Sequence, residues 1–188
     1  MTVIGIAGQA EAGETTLANR LATFGRCRVL PFAEPLKRML TELGVPRENI
    51  YGSFKDAPCP ELCGKSGREA MQTLGTDWGR KLISPQLWVN AWLRRAIEAT
   101  SKGECVIVDD VRFPEEAAAV KSLGGIVVYV DRLGAKTYEH PSESSLSEYK
   151  FDRTIQNPEN QGFESSEVLA IWSLAGNRDY SSTILPRR

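Results

Sequence analysis

Gly8, Gly13 and Thr15 stand at the spacing of a loop that wraps backbone N–H groups around a phosphate. The stretch reads Val3-Ile4-Gly5-Ile6-Ala7-Gly8-Gln9-Ala10-Glu11-Ala12-Gly13-Glu14-Thr15-Thr16. In the pattern G-x-x-x-x-G-K-[ST] a lysine follows the second glycine, and here that catalytic position holds Glu14. Gly8, Ala10, Ala12, Gly13, Thr15 and Thr16 are the candidate cradle for the phosphates of a nucleotide. The positive end of the following helix adds to it. Thr15 stands where the hydroxyl of such a loop holds Mg²⁺. Two unit charges about 4 Å apart interact by about 4 kcal/mol at an effective dielectric near 20. Exchanging a cation for Glu14 turns an attraction of that order into a repulsion. Three readings follow: an inactivated variant, an enzyme in which Lys37, Lys65, Arg80 or Arg112 supplies the missing charge, or a relative that no longer transfers phosphate.

A second set begins where the apolar run Glu104-Cys105-Val106-Ile107-Val108 ends in Asp109-Asp110. An acidic residue at a strand's carboxyl end is where a Walker B group holds Mg²⁺, so Asp109 is the metal candidate beside Thr15. The plain alternative is strand-end capping. Arg112 lies just beyond, and its guanidinium suits a bidentate grip on phosphate oxygens. A surface ion pair with Glu115 or Glu116 is the competing reading. Arg68 and Gln72 are four apart and share a helix face, so one can clamp an acceptor phosphate while the other reads a base edge. A solvated face is the competing reading. Trp78 and Trp88 have the surface to stack on a base, and core packing suits at least one of them better.

These residues need elements to hold them. Val3 to Ala7 is a buried-strand run, and Leu17, Ala18, Leu21 and Phe24 follow at helical spacing. Strand then alternates with helix, which predicts an α/β fold with a parallel sheet. Arg28–Phe32 is a short strand, Glu34–Leu43 a helix, and 45–66 a loop or small insertion. Arg68–Leu82 and Pro85–Thr100 read as two helices, with Ser84 and Pro85 as N-cap and N1 of the second. Pro114 opens an Ala-rich helix ending near Gly124-Gly125. Ile126–Val130 and Phe151–Gln156 are the last strands, and Ser166–Leu174 the last helix. Residues 132–150, with Lys136 and His140, are polar.

Composition narrows the class. The 188 residues carry 41% hydrophobic and 25% charged side chains, which suits one soluble globular domain. A net charge of −1 gives no global support for a nucleic-acid binder. No apolar run approaches the roughly 18 residues needed to span a bilayer, so no membrane partner is expected. The first run stops at Gly8 and Gln9 and reads as a strand, not a signal peptide. Cys27, Cys59, Cys63 and Cys105 fit reduced thiols in a cytoplasmic protein.

The sequence resembles the deoxynucleoside monophosphate kinases of tailed bacteriophages. The likeness rests on the Gly8–Thr16 loop, on Phe32-Ala33-Glu34-Pro35-Leu36-Lys37, and on residues 67–80, Gly-Arg-Glu-Ala-Met-Gln-Thr-Leu-Gly-Thr-Asp-Trp-Gly-Arg. It continues in Trp88-Val89, Val108-Asp109-Asp110-Val111-Arg112-Phe113-Pro114 and His140-Pro141-Ser142-Glu143. The resemblance implies a P-loop, nucleoside monophosphate kinase-like sheet with helices on both faces. It places an acceptor-binding region at about 34–100 and a lid at about 132–150. It implies ATP and Mg²⁺ as cofactors and a small-molecule deoxynucleotide as acceptor. Carried over, Gly8 to Thr16 would hold ATP, Asp109 or Asp110 the metal, and Lys37, Arg68, Gln72, Trp78 and Arg80 the acceptor. Arg112 and lid residues such as Arg132 and Lys136 would neutralise charge during transfer. A homodimer is one expectation for assembly, and a phage-encoded enzyme would work in the host bacterial cytoplasm.

Two alternatives stand beside a dNMP kinase. Related phage kinases phosphorylate 5-hydroxymethyluracil within DNA, on a base flipped out of the duplex. For such a partner Lys55, Lys65, Arg68, Arg80, Lys81, Arg94 and Arg95 would form a basic groove. The other alternative is a non-catalytic nucleotide-binding module, which Glu14 alone suggests.

Overall fold

The computed structural model describes residues 2–132, 145–158 and 162–176. Lys136, His140 and the rest of 133–144, with the tail from 177, lie outside the described residues. The chain divides into two compact units, residues 1–31 with 93–188, and residues 32–92.

The first unit is built on β1 (Val3–Gly8), whose six residues are all buried. A strand in a parallel sheet is covered on both faces, which is why Val-Ile-Gly-Ile-Ala-Gly reads as an unbroken apolar run. Five parallel strands lie in the order β2-β3-β1-β4-β5, with β2 Cys27–Val29, β3 Cys105–Val108, β4 Ile126–Asp131 and β5 Arg153–Gln156. Register sets Ile4 beside Ile107 on one side and beside Ile126 on the other.

Alternation along β1 assigns the helices to faces. Ile4 and Ile6 join one cluster with Leu17, Ala18 and Leu21 of α1 (Glu14–Ala22) and Val168, Ile171 and Trp172 of the last helix (Ser165–Leu174). Gly5 points the other way: a Cβ there would stand 3.1 Å from Val120, on the helix Pro114–Ser122. The sheet is therefore covered on both faces, as the alternating pattern predicts. Leu17 is fully buried in the first cluster. Leu17→Ala is expected to cost about 2–5 kcal/mol in urea unfolding, from lost transfer and a cavity.

The second unit carries α2 (Glu34–Glu42), α3 (Arg47–Ile50), a 3₁₀ turn at Pro60–Leu62 and α4 (Gly67–Gln72). Ser66 caps α4: its hydroxyl accepts the Glu69 N–H at 3.2 Å, and the Glu69 carboxylate accepts the Ser66 N–H at 2.8 Å. The predicted helix over 68–82 departs from expectation. From Thr73 to Ile83 the chain continues as a π-helix, so the stretch is α then π. Trp88 supplies the reason. Its indole Nε1 donates to the Gly75 carbonyl at 2.8 Å, and a Cβ on Gly79 would meet the same ring at 2.6 Å. A side chain entering the carbonyl ladder widens a helix.

The helix predicted from Pro85 begins at Leu87 and runs to Ser101, as α5, with the Ser84 hydroxyl accepting the Gln86 N–H at 3.2 Å. The predicted strand over 28–32 is shorter and earlier, Cys27–Val29, and the segment 45–66 holds α3 and the 3₁₀ turn. With α6 assigned to Pro114–Ser122 and α7 to Ser165–Leu174, the elements are complete among the described residues.

Candidate active site

The turn from β1 into α1 has the geometry of a closed phosphate loop. The Ala12 N–H donates to the Gln9 carbonyl at 3.1 Å and draws the turn shut. Glu11 and Gly13 adopt positive φ, 65° and 113°. At Gly13 a Cβ would stand 2.4 Å from the Asn157 amide nitrogen, so only glycine fits. Thr15 and Thr16 open α1 on the exposed side.

Glu14 does not project into solvent. It is 7% exposed, and its carboxylate folds back over the loop. Oε2 accepts the Gly13 N–H at 3.1 Å, and Oε1 lies 2.9 Å from Nη2 of Arg112. A Cβ on Gly8 would meet the Glu14 carboxyl carbon at 3.1 Å, so the loop's first glycine makes room for this carboxylate. Burial pushes the Glu14 carboxyl above the usual range, Arg112 and the Gly13 N–H oppose that shift, and Asp109 adds to it. An anion thus stands where a phosphate loop directs its N–H groups, and it belongs to the protein.

Arg112 is the cation that meets it. Its own backbone N–H donates to Oε2 of the buried Glu116 at 2.7 Å, and the Phe113 N–H to the same oxygen at 3.1 Å. Glu116 thereby fixes the turn that starts α6, while the guanidinium turns to Glu14. Arg112→Ala would strand a buried carboxylate. We expect a loss of roughly 3 kcal/mol in urea unfolding, and recovery of most of it in Arg112→Ala/Glu14→Gln.

Asp109 follows β3 directly, next to the end of β1 in the sheet. Thr15 Oγ1 donates to Asp109 Oδ2 at 2.7 Å. A hydroxyl and a carboxylate at that distance form the hard oxygen donor pair that suits Mg²⁺. Asp110 lies one residue on and is half-buried. Arg132, just past β4, donates from Nη1 to the Glu11 carbonyl at 2.6 Å and so holds the loop's apex.

The acceptor candidates all belong to the second unit. Arg68 sits on α4 with its guanidinium 2.5 Å from Asp56. Gln72 ends the same helix, half-buried. Lys37 on α2 holds its ammonium 5.0 Å over the Tyr51 ring. Trp78 is 37% exposed, whereas Trp88 is buried and packs beside it with ring centroids 6.2 Å apart. Arg80 is buried and donates to the Pro85 carbonyl at 3.3 Å, so its charge is committed at least in part within its own unit. Of the seven cations named for a basic groove, three have carboxylate partners: Lys65 pairs with Glu69, Arg68 with Asp56 and Lys81 with Asp77.

Asn157 was not among the residues singled out by sequence. It is buried just past β5 and its amide reaches the Ala12 carbonyl at 2.7 Å. A lone asparagine after a strand carries no pattern. Only the pairing of β5 with β4 brings it behind the loop.

Comparison with known proteins bears on the family. The model of the deoxynucleotide monophosphate kinase family matches residues 64–163, which include Asp109 and Arg112. A protein of Acanthamoeba polyphaga mimivirus, provisionally named a deoxynucleotide monophosphate kinase, is 34% identical over 171 residues, 84% of this chain and 89% of that protein. An uncharacterised protein of Ictalurid herpesvirus 1, ORF77, is 32% identical over 128 residues; the match spans 63% of this chain and about half, 48%, of that protein. Both relatives are viral, so the likeness is supported at the level of viruses and not of bacteriophages in particular. Among solved structures, an unliganded sugar kinase from Janibacter sp. HTCC2649 superposes with a TM-score of 0.51 at 12% identity, covering 95% of this chain and 97% of that one, which speaks for the fold alone. A parallel sheet with a phosphate loop at its first turn, and a family match spanning more than half of the chain, lead to one assignment: the protein belongs to the deoxynucleotide monophosphate kinase family.

Proposed function

We propose that the chain transfers the γ-phosphate of ATP to a deoxynucleoside monophosphate, giving ADP and the deoxynucleoside diphosphate. The observation that carries this reading is the 2.7 Å hydrogen bond from Thr15 to Asp109. It brings the loop hydroxyl and the strand-end carboxylate together as a phosphate–metal site requires. Bound there, Mg²⁺ would neutralise charge on the phosphate oxygens. Thr15 and Asp109 would hold it, and the N–H groups of Gly8 to Thr16 would orient the triphosphate. Arg112 stands for the absent lysine: its guanidinium reaches the loop through Glu14. Transfer then needs the guanidinium to exchange a carboxylate for a phosphate. Arg132 holds the loop at Glu11. Lys37, Arg68, Gln72 and Trp78 are the proposed acceptor contacts.

A second reading, a nucleotide-binding protein without turnover, is favoured by Glu14 alone, because its carboxylate already takes the Gly13 N–H. One experiment separates the two. The chain and its Glu14→Lys variant are assayed with ATP·Mg²⁺ and each of the four dNMPs, with dNDP followed by chromatography. Phosphorylation of at least one dNMP in the variant supports the kinase. Calorimetric ATP binding without dNDP from either version supports the second reading.

A further inference from the structure

We propose that Asn157 is a positioning residue for the phosphate seat, setting the direction of the Gly13 N–H by holding the other end of the same peptide group. The proposal rests on the reading of this loop as a phosphate site.

A trans peptide points its carbonyl and its N–H to opposite sides. In the Ala12–Gly13 peptide both ends are engaged. Asn157 Nδ2 donates to the Ala12 carbonyl at 2.7 Å, and the Gly13 N–H donates to the Glu14 carboxylate at 3.1 Å. A grip on the oxygen from behind therefore aims the hydrogen at the anion in front. Engagement of the carbonyl also polarises the peptide and strengthens the N–H as a donor.

The asparagine is itself held. Its backbone N–H donates to the Asp131 carbonyl at 2.8 Å, at the end of the β4–β5 pairing, so the side chain starts from a rigid edge. It is 1% exposed. Its Oδ1 has no hydrogen-bond partner among the described residues. A buried acceptor left unmade is costly. A side chain that tolerates this is kept for its donor. The fit at Gly13, where a Cβ would stand 2.4 Å from the same nitrogen, shows that the amide backs directly onto the loop.

The test reads the peptide itself. In ¹⁵N-labelled protein the Gly13 amide resonance and its hydrogen exchange are compared between the chain and two variants. Asn157→Asp is isosteric but presents an acceptor to the carbonyl. Asn157→Ala removes the group. We expect the Gly13 resonance to move upfield in both, and its exchange to quicken about tenfold, the size of one hydrogen bond. In a Glu14→Lys background, ATP·Mg²⁺ affinity by calorimetry should fall about tenfold on adding either substitution. An unchanged Gly13 resonance and exchange in a folded variant, with only the melting temperature lowered, would reduce Asn157 to packing and overturn the proposal. Loss of fold in both variants would do the same. If ATP·Mg²⁺ binds and its affinity and the Gly13 amide respond to Asn157 as expected, yet no dNDP forms from any dNMP, the kinase reading fails and this one stands; if ATP binds to no version, both fail.

Discussion

Glu14→Lys is expected to tighten ATP·Mg²⁺ binding by about a hundredfold, or about 3 kcal/mol. The full change of sign at about 4 Å would exceed this at an effective dielectric near 20. Arg112 already offsets part of the carboxylate's charge at 2.9 Å, and salt screens the remainder. The same substitution has an opposite effect without ligand. It removes the Glu14–Arg112 pair and sets two cations at the loop, so the free variant should melt several degrees lower. ATP·Mg²⁺ should then raise its melting temperature more than that of the parent chain, because ligand stabilisation grows with affinity. Calorimetry and thermal shift on the two proteins check both halves. Equal affinity in parent and variant would show that the Glu14 carboxylate does not oppose the phosphates.

Asp109→Asn carries the second large effect. The side chain keeps its shape and can still accept the Thr15 hydroxyl, so fold and loop should persist. What goes is the charge proposed to hold Mg²⁺. We expect turnover in the Glu14→Lys background to fall about 10³-fold, equivalent to about 4 kcal/mol of transition-state stabilisation, with a raised Mg²⁺ requirement. Asp110→Asn, half-buried one residue on, should lose far less. Steady-state rates at graded Mg²⁺ decide between the two aspartates. A larger loss at Asp110 would move the metal role there.

The sequence made the sheet legible where burial is complete. β1 and β3 are covered on both faces, so their composition alone declares them, and Asp109 follows from the end of such a strand. The loop's glycines were legible for another reason: φ at Gly13 and crowding at Gly8 admit little else. Contacts between distant residues were not. That Arg112 reaches Glu14 depends on how the β3–α6 turn meets α1, which no local pattern encodes. Asn157 stays invisible until β5 takes its place beside β4. The π-helix at Thr73–Ile83 follows an ordinary helical pattern, and it is the Trp88 indole that widens it. Ion pairing was not legible either: Lys65, Arg68 and Lys81, three of the seven cations named for a basic groove, each have a carboxylate beside them.

The place of β1 in the strand order bears on biosynthesis. It leaves the ribosome well before either of its sheet neighbours, which lie far downstream at Cys105–Val108 and Ile126–Asp131. At translation rates of about 5–20 residues per second, its unpaired backbone edges and apolar faces wait on the order of 10 s for their neighbours. The nascent chain is thus most prone to aggregate while β1 stands unpaired, before the sheet's centre can close, and a chaperone that shields β1 should raise the yield of native protein.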